Sequence, residues 1–327
     1  MRRPGRQRTL ALALSAALIV GLLLSVDLPS LRAALSEADE SLLLAAVGLS
    51  MGIHLLVEPL LLWWILRLMG HRLPPRVVWF TLVAVAPVKL LTPAKSGLIF
   101  GALYLDRWHG VPTAEALSAM VVDKAHNTAW MLLVLALSPL LLVGGDPVWL
   151  ADVPAAWWAA GAATLLAGLA LAGLLRQRLA GLVERAPKLR EKLAQLTAAL
   201  WKLSLPQQLS VFAATILIVS AGFVQMYLML RATGVAVPLM TAYLLTPLVI
   251  LAGALPLTAG GVGSREAAIL ILFSAWGTPE QLLIAGILNT CVHYLLPALS
   301  GLPLVPALLA EPDETFNDVR IDPMRPG

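Results

Sequence analysis

Ionisable side chains are scarce in this 327-residue chain, and the few that interrupt its apolar stretches are where chemistry would have to occur. His54 and Glu58 are four residues apart, so one helical face carries both. Lys89 and Lys95 lie in an apolar stretch broken by Leu91-Thr92-Pro93-Ala94-Lys95-Ser96-Gly97. Asp123, Lys124, His126 and Asn127 crowd into one apolar run, with Asp123 and Asn127 again four apart. Arg265 and Glu266 follow a glycine-rich break, and Gln225, Asn289 and His293 complete the set. An ionisable group inside a bilayer costs about 2.5–3.5 kcal/mol on insertion scales, so each of these residues is a functional candidate.

The four cations Lys89, Lys95, Lys124 and Arg265 come from both parts of the chain and suit an anionic group. Lysines supply point charges, and an arginine supplies a fork that matches a phosphate or phosphodiester. Helices starting after Gly97 and Gly263 would add backbone N–H donors aimed at the same anion. Glu58, Asp123 and Glu266 would balance the pocket when it is empty. The expected substrate-binding set is therefore Glu58, Lys89, Lys95, Asp123, Lys124, Asn127, Arg265 and Glu266. A plainer reading stands beside it. Glu58 would neutralise a lysine of the broken stretch, Asp123 would do the same for Lys95 or Arg265, and His54, His126 and His293 would make helix-packing hydrogen bonds. No catalytic residue is expected, because no serine or cysteine has a base beside it in a motif. His54 with Glu58 is too small a set for a metal. A Walker-type loop is absent, and Ala259-Gly260-Gly261-Val262-Gly263 does not follow a strand, so no nucleotide or other cofactor is called for.

The elements that must position these groups are membrane helices. Hydrophobic residues are 59% of the chain and charged residues 13%, whereas a soluble domain carries about 25% charged residues. Mean hydropathy is +0.84. The net charge of +4 sits between apolar runs, where it sets topology and does not mark nucleic-acid binding. Cys291, the single cysteine, lies in an apolar run, so no disulfide framework is available.

Charge gives the orientation. Arg2, Arg3, Arg6 and Arg8 precede an apolar stretch from Leu10 to Val26, read as an uncleaved signal anchor with its N-terminus in the cytoplasm. A second span at 42–66 returns to the basic loop of Arg67, Arg72 and Arg76. The broken stretch 77–105 then enters and leaves on the same side, because the following span, 117–143, must itself start inside. Residues 154–175 cross back, 176–208 form a basic cytoplasmic linker, and 209–231 cross outward. A second broken stretch, 239–276, and a last span, 281–309, precede a polar tail at 311–327 that is expected in the cytoplasm.

The two parts match at an offset of 167 residues. Gly110-Val111-Pro112 corresponds to Gly277-Thr278-Pro279, and His126 corresponds to His293. The expected fold is thus an all-α polytopic membrane protein with about six transmembrane helices plus two re-entrant helical hairpins in an inverted repeat. It forms one membrane domain over 1–327, with a first repeat at 42–143 and a second at 209–310. Paired broken helices of this kind hold substrate near the midplane in transporters.

Gly260-Gly261-Val262-Gly263-Ser264-Arg265-Glu266-Ala267-Ala268 resembles the Pro-Gly-Gly-x-Gly-x-Arg-Glu-Ala signature of the lysylphosphatidylglycerol synthase transmembrane-region family, also called the flippase-like domain family. Thr92-Pro93-Ala94-Lys95-Ser96-Gly97 and Val121-Val122-Asp123-Lys124-Ala125-His126-Asn127 are similar to its Pro-Gly-x-x-Gly-Glu turn and Val-x-Glu-Arg-x-x-Asp helix. The glutamate expected after Gly97 is Leu98, and the proline position before Gly260 is Ala259. The resemblance implies a flippase-like lipid transporter of the bacterial inner membrane that moves a phosphate-bearing headgroup between leaflets. Its expected partners are a membrane phospholipid or an isoprenoid-phosphate lipid, and the membrane itself. A lipid-biosynthesis enzyme and a second copy of the chain are further candidates, and no nucleic acid is expected. With no soluble acyltransferase-like part before Gly327, aminoacyl transfer is not expected. The alternatives are a membrane-embedded enzyme that modifies a lipid phosphate and a non-catalytic subunit that presents lipid to an enzyme.

Overall fold

The computed structural model describes residues 36–91, 97–142, 202–254 and 263–309, and every regular element among them is helical. In chain order these are α1 (Glu40–Leu68), α2 (Pro75–Leu91), α3 (Leu98–His109), α4 (Thr113–Leu142), α5 (Leu205–Ala232), α6 (Leu239–Ala254), α7 (Ser264–Leu272) and α8 (Pro279–Leu308). By length and composition α1, α5 and α8 can cross a membrane, at 29, 28 and 30 residues. At about 1.5 Å per residue each exceeds the roughly 30 Å hydrocarbon core. Helix α4 has 30 residues and carries Asp123 and Lys124. The expected spans at 10–26 and 154–175 lie outside the described residues. So do most of the 176–208 linker, the tail 311–327 and both hairpin tips.

The helix starts are written locally. The carboxylate of Asp39 caps α1, with Oδ1 accepting the N–H groups of Ser41 and Leu42 at 2.9 and 3.1 Å. The Ser41 hydroxyl holds that carboxyl below the usual aspartate range, helped by the Leu42 N–H. Ser204 with Gln207 and Thr278 with Gln281 form capping boxes at α5 and α8, each with a proline in the first turn. Gly110, at φ 67°, closes α3 in the left-handed region.

The two halves repeat this order. Glu40 to Leu205, Pro75 to Leu239, Leu98 to Ser264 and Thr113 to Pro279 are steps of 165, 164, 166 and 166 residues. Each half has its own apolar core. Leu62, Ile65 and Leu66 of α1 pack with Val78, Leu105 and Ala116 in the first. Met226 and Leu230 of α5 pack with Val249, Ile269 and Leu282 in the second. The counterpart helices α1 and α5 run antiparallel. The Asp39 N–H donates to the Ala232 carbonyl at 2.8 Å, Ala46 packs on Met229, and the far end of α1 meets Val211.

Small residues allow close crossings, as expected where packing rather than water drives association. A Cβ on Gly301 would run into the Val83 carbonyl oxygen of α2. A Cβ on Gly97 would come within 2.6 Å of the Lys89 backbone nitrogen, so the end of α2 and the start of α3 touch. At the ends of the bundle, Glu115 on the first turn of α4 bonds His71 at 2.6 Å and Lys202 at 2.9 Å. This joins the loop after α1 to the residues just before α5. The Lys202 hydrogen bond, with that from His71, holds the Glu115 carboxyl below its ordinary value.

Candidate functional site

Two helices are interrupted in the same way. The Glu58 N–H bonds the Ile53 carbonyl, and the Leu296 N–H bonds the Cys291 carbonyl, each a five-residue step that makes one π turn. Pro59 and Pro297 follow directly. A proline has no N–H to give, and its ring crowds the carbonyl four residues back, so a widened turn in front of it relieves the clash. The two π turns bring His54 and His293 together across the halves. His54 Nε2 lies 3.4 Å from His293 Nδ1, with the rings edge to face at 4.5 Å. On its other side, His54 Nδ1 lies 3.2 Å from Glu58 Oε2.

Glu58 opens onto a charged cavity. With Leu62, Leu82, Leu98 and Met120, the side chains of Glu58, Lys89, Asp123 and Lys124 line a space of about 30 Å³. That volume holds about one water. Lys124 pairs with Asp123 at 2.8 Å, and Glu58 is within Coulomb reach of both Lys124 and Lys89. Lys89 sits in the last turn of α2, where a cation complements the helix dipole. Among the described residues, two cations and two anions line it, a formally neutral set. Beside it runs an open groove of about 580 Å³, lined by Leu98 and by the α4 stripe Leu117, Met120, Val121, Lys124, Ala125, Thr128, Ala129 and Leu132. Leu98, Met120 and Lys124 belong to both spaces. Among the described residues, Lys124 is the only charged one in the groove lining.

A second polar cluster lies in the other half. Arg265 and Glu266 are only 4% and 3% exposed. Glu266 Oε2 accepts the Gly263 N–H at 2.6 Å, so it caps its own helix at a residue with φ 91°. Its other oxygen accepts the Thr290 hydroxyl at 2.6 Å, and that hydroxyl in turn accepts Arg265 Nη1–H at 3.2 Å. The guanidinium stacks over Tyr294 at 4.1 Å and lies against Gly253 of α6. Nearby, the Gln225 amide donates to Asn289 at 3.3 Å. Among the described residues no group of three or more His, Cys, Asp or Glu side chains could hold a metal ion.

Of the eight expected site residues, Glu58, Lys89, Asp123 and Lys124 therefore share one cavity. Arg265 and Glu266 do not line it; they form a cluster with Thr290 and Tyr294, and Tyr294 adjoins His293 of the histidine pair. Asn127 is half-buried on α4, one turn beyond Asp123 and outside the cavity lining. Lys95 lies outside the described residues. At the start of α7 the Gly263 N–H is taken by Glu266. His126 Nδ1 lies 2.8 Å from the Val122 carbonyl of its own helix, and its ring meets Phe212 of α5. The contact of His54 with His293, and the roles of Thr290 and Tyr294, were not foreseen. The proline after each π turn was the available signal for the first, and the Gly263-x-x-Glu266 spacing for the capping role.

Long apolar helices in two repeating sets define a multi-pass helical membrane protein. The chain belongs to the family described as "Lysylphosphatidylglycerol synthase TM region", whose model matches residues 8–301. A search of curated proteins gave no match.

Proposed function

We propose that this protein carries a lipid with an anionic phosphate headgroup between the leaflets of the bacterial inner membrane. One observation carries the reading. A small charged cavity joins an apolar groove at Lys124, and an amphiphile with one phosphate and long chains has that same division of polarity. The phosphate would exchange onto Lys89 and Lys124 as the carboxylates let go, and the chains would lie along α4. The family's description names lysylphosphatidylglycerol, a lipid with a phosphodiester.

On this reading α2–α3 and α6–α7 are re-entrant hairpins of an inverted repeat, and both termini are cytoplasmic. The antiparallel run of α1 against α5 and the matched element order support the inversion. The halves would rock about the small-residue contacts to expose the cavity alternately. The chain acts as a carrier and not as a catalyst.

The test is exchange of fluorescent phosphatidylglycerol in proteoliposomes of phosphatidylethanolamine and phosphatidylglycerol. Dithionite bleaching of the outer leaflet reads the exchange. Protein-dependent loss of the protected inner pool is expected. Release of a modified lipid by the purified protein, without exchange, would overturn the reading in favour of an enzyme.

A further inference from the structure

We infer that Glu58, His54 and His293 form a proton relay that couples lipid movement to proton uptake, one proton for each negative charge carried. The inference rests on the lipid-carrier reading above and deepens it. The first observation is the charge of the cavity. Among the described residues, Glu58 and Asp123 balance Lys89 and Lys124, so this set is neutral and a bound phosphodiester would leave it one charge negative. A proton on Glu58 removes that excess. With Glu58 neutral, this set carries a net charge of +1 and one phosphodiester completes it.

The second observation is the route for that proton. Glu58 Oε2, His54 Nδ1, His54 Nε2 and His293 Nδ1 lie in sequence, at 3.2 and 3.4 Å across the two gaps. With Glu58 ionised and both rings neutral, His54 Nδ1–H donates to Glu58 and His293 Nδ1–H donates to His54 Nε2. A proton arriving at His293 Nε2 makes that ring an imidazolium. His293 Nδ1 passes its proton to His54 Nε2, and His54 Nδ1 passes its own to Glu58. Each N–H broken is matched by one formed, and the net result is one proton on the carboxyl. Both histidines sit on π turns, a helix irregularity found often at functional sites. Chains of ionisable side chains inside membranes commonly serve proton transfer.

The charged and titratable groups facing this chain are few among the described residues. Lys89 faces Glu58 from α2, and Asp123 and Lys124 face it from α4. On α8, Tyr294 adjoins His293 and carries the Arg265 guanidinium, whose neighbour Glu266 is bonded to Thr290. Cys291 begins the same π turn. Helix α5 contributes the neutral Gln225, bonded to Asn289. Neither His54 nor His293 lines the cavity.

The full chain in phosphatidylethanolamine and phosphatidylglycerol vesicles, with fluorescent phosphatidylglycerol as the probe, provides the test. A pH difference is imposed across the membrane. One pH unit should sustain up to about a tenfold leaflet asymmetry of the probe. The asymmetry should ignore an imposed membrane potential, because proton and anion move together as a neutral pair. His54→Gln and His293→Gln should lose the gradient response, with melting of the same preparations showing that they are folded. Glu58→Gln fixes the cavity at its protonated charge, so probe binding in detergent should take up no proton, against one per probe in the wild type. A wild-type gradient response in either histidine variant overturns the relay. Gradient-free exchange that the pH difference leaves unchanged overturns the coupling alone and leaves the carrier standing. No exchange by the wild-type protein under any condition overturns both.

Discussion

Thr290→Val removes one hydroxyl and keeps the side-chain volume, so its effect isolates the bridge between Arg265 and Glu266. Two hydrogen bonds go at once, the 2.6 Å bond to Glu266 Oε1 and the 3.2 Å bond from Arg265 Nη1. Hydrogen bonds between membrane helices average about 0.6 kcal/mol and reach about 1.7. Those to charged groups in soluble proteins are worth about 1.5–3 kcal/mol. Both partners here are charged and at least 96% buried, since they are 4% and 3% exposed. Neither can turn to water, which puts the pair near the top of the membrane range, at about 2–3 kcal/mol in total. At about 2.1 cal/mol/K of unfolding entropy per residue, a chain of 327 residues shifts by about 1.5 °C per kcal/mol, so the thermal midpoint in detergent micelles should fall by roughly 3–5 °C. Thr290→Ser keeps the hydroxyl and loses one methyl, so its cost should stay near 0.8 kcal/mol. Wild-type stability in Thr290→Val, or equal damage in the serine variant, would refute the bridge.

Three further outcomes are expected. A Cβ at Gly301 meets the Val83 carbonyl, whereas one at Gly48 meets nothing within 4 Å. Gly301→Ala should therefore cost about 1–3 kcal/mol from overpacking, and Gly48→Ala should be neutral or stabilising in the same melting assay. Glu115 has its carboxyl lowered by Lys202 and His71, so its stabilising effect is full above the unfolded value of 4.5 and fades as pH falls through the lower folded value. The Glu115 and Lys202 side chains are 29% and 50% exposed, which limits the effect to about 1 kcal/mol or less. Wild type should melt above Glu115→Gln at pH 7, and the gap should close in the acid range below 4.5. Pro112 and Pro279 are both exposed counterparts at the 167-residue offset. In a Cys291→Ala background, Pro112→Cys should react with a membrane-impermeant thiol reagent from the cytoplasm and Pro279→Cys from outside. Labelling of both from one side would remove the inverted repeat.

The helices were legible because their signals are local. Apolar runs, Pro-rich starts and the Gly110 stop place α1 through α8 within a few residues of the spans read from sequence. The expected span at 42–66 is a helix over Glu40–Leu68, and that at 209–231 is one over Leu205–Ala232. Glu58, Lys89, Asp123 and Lys124 could be nominated because a charge in an apolar run is conspicuous by itself. Which charges meet is decided by packing between helices, and hydropathy carries no record of it. Arg265 looked like a fourth ligand for one anion, yet Gly253 and Tyr294 hold its guanidinium in the second half. Glu266 looked like a pocket carboxylate, although its position three residues after Gly263 already had the spacing of a cap. His54 and His293 are 239 residues apart. The packing of α1 against α8, where Ser50 bonds the Val292 carbonyl, and the π turns before Pro59 and Pro297 bring them into contact.

The most direct test of the carrier is the exchange rate of fluorescent phosphatidylglycerol in proteoliposomes holding the Lys89→Ala, Lys124→Ala double variant. Wild-type melting behaviour should first be confirmed on the same preparations. The account predicts exchange at the protein-free rate, because both cations of the cavity are gone. Exchange at the wild-type rate by the folded double variant would contradict it.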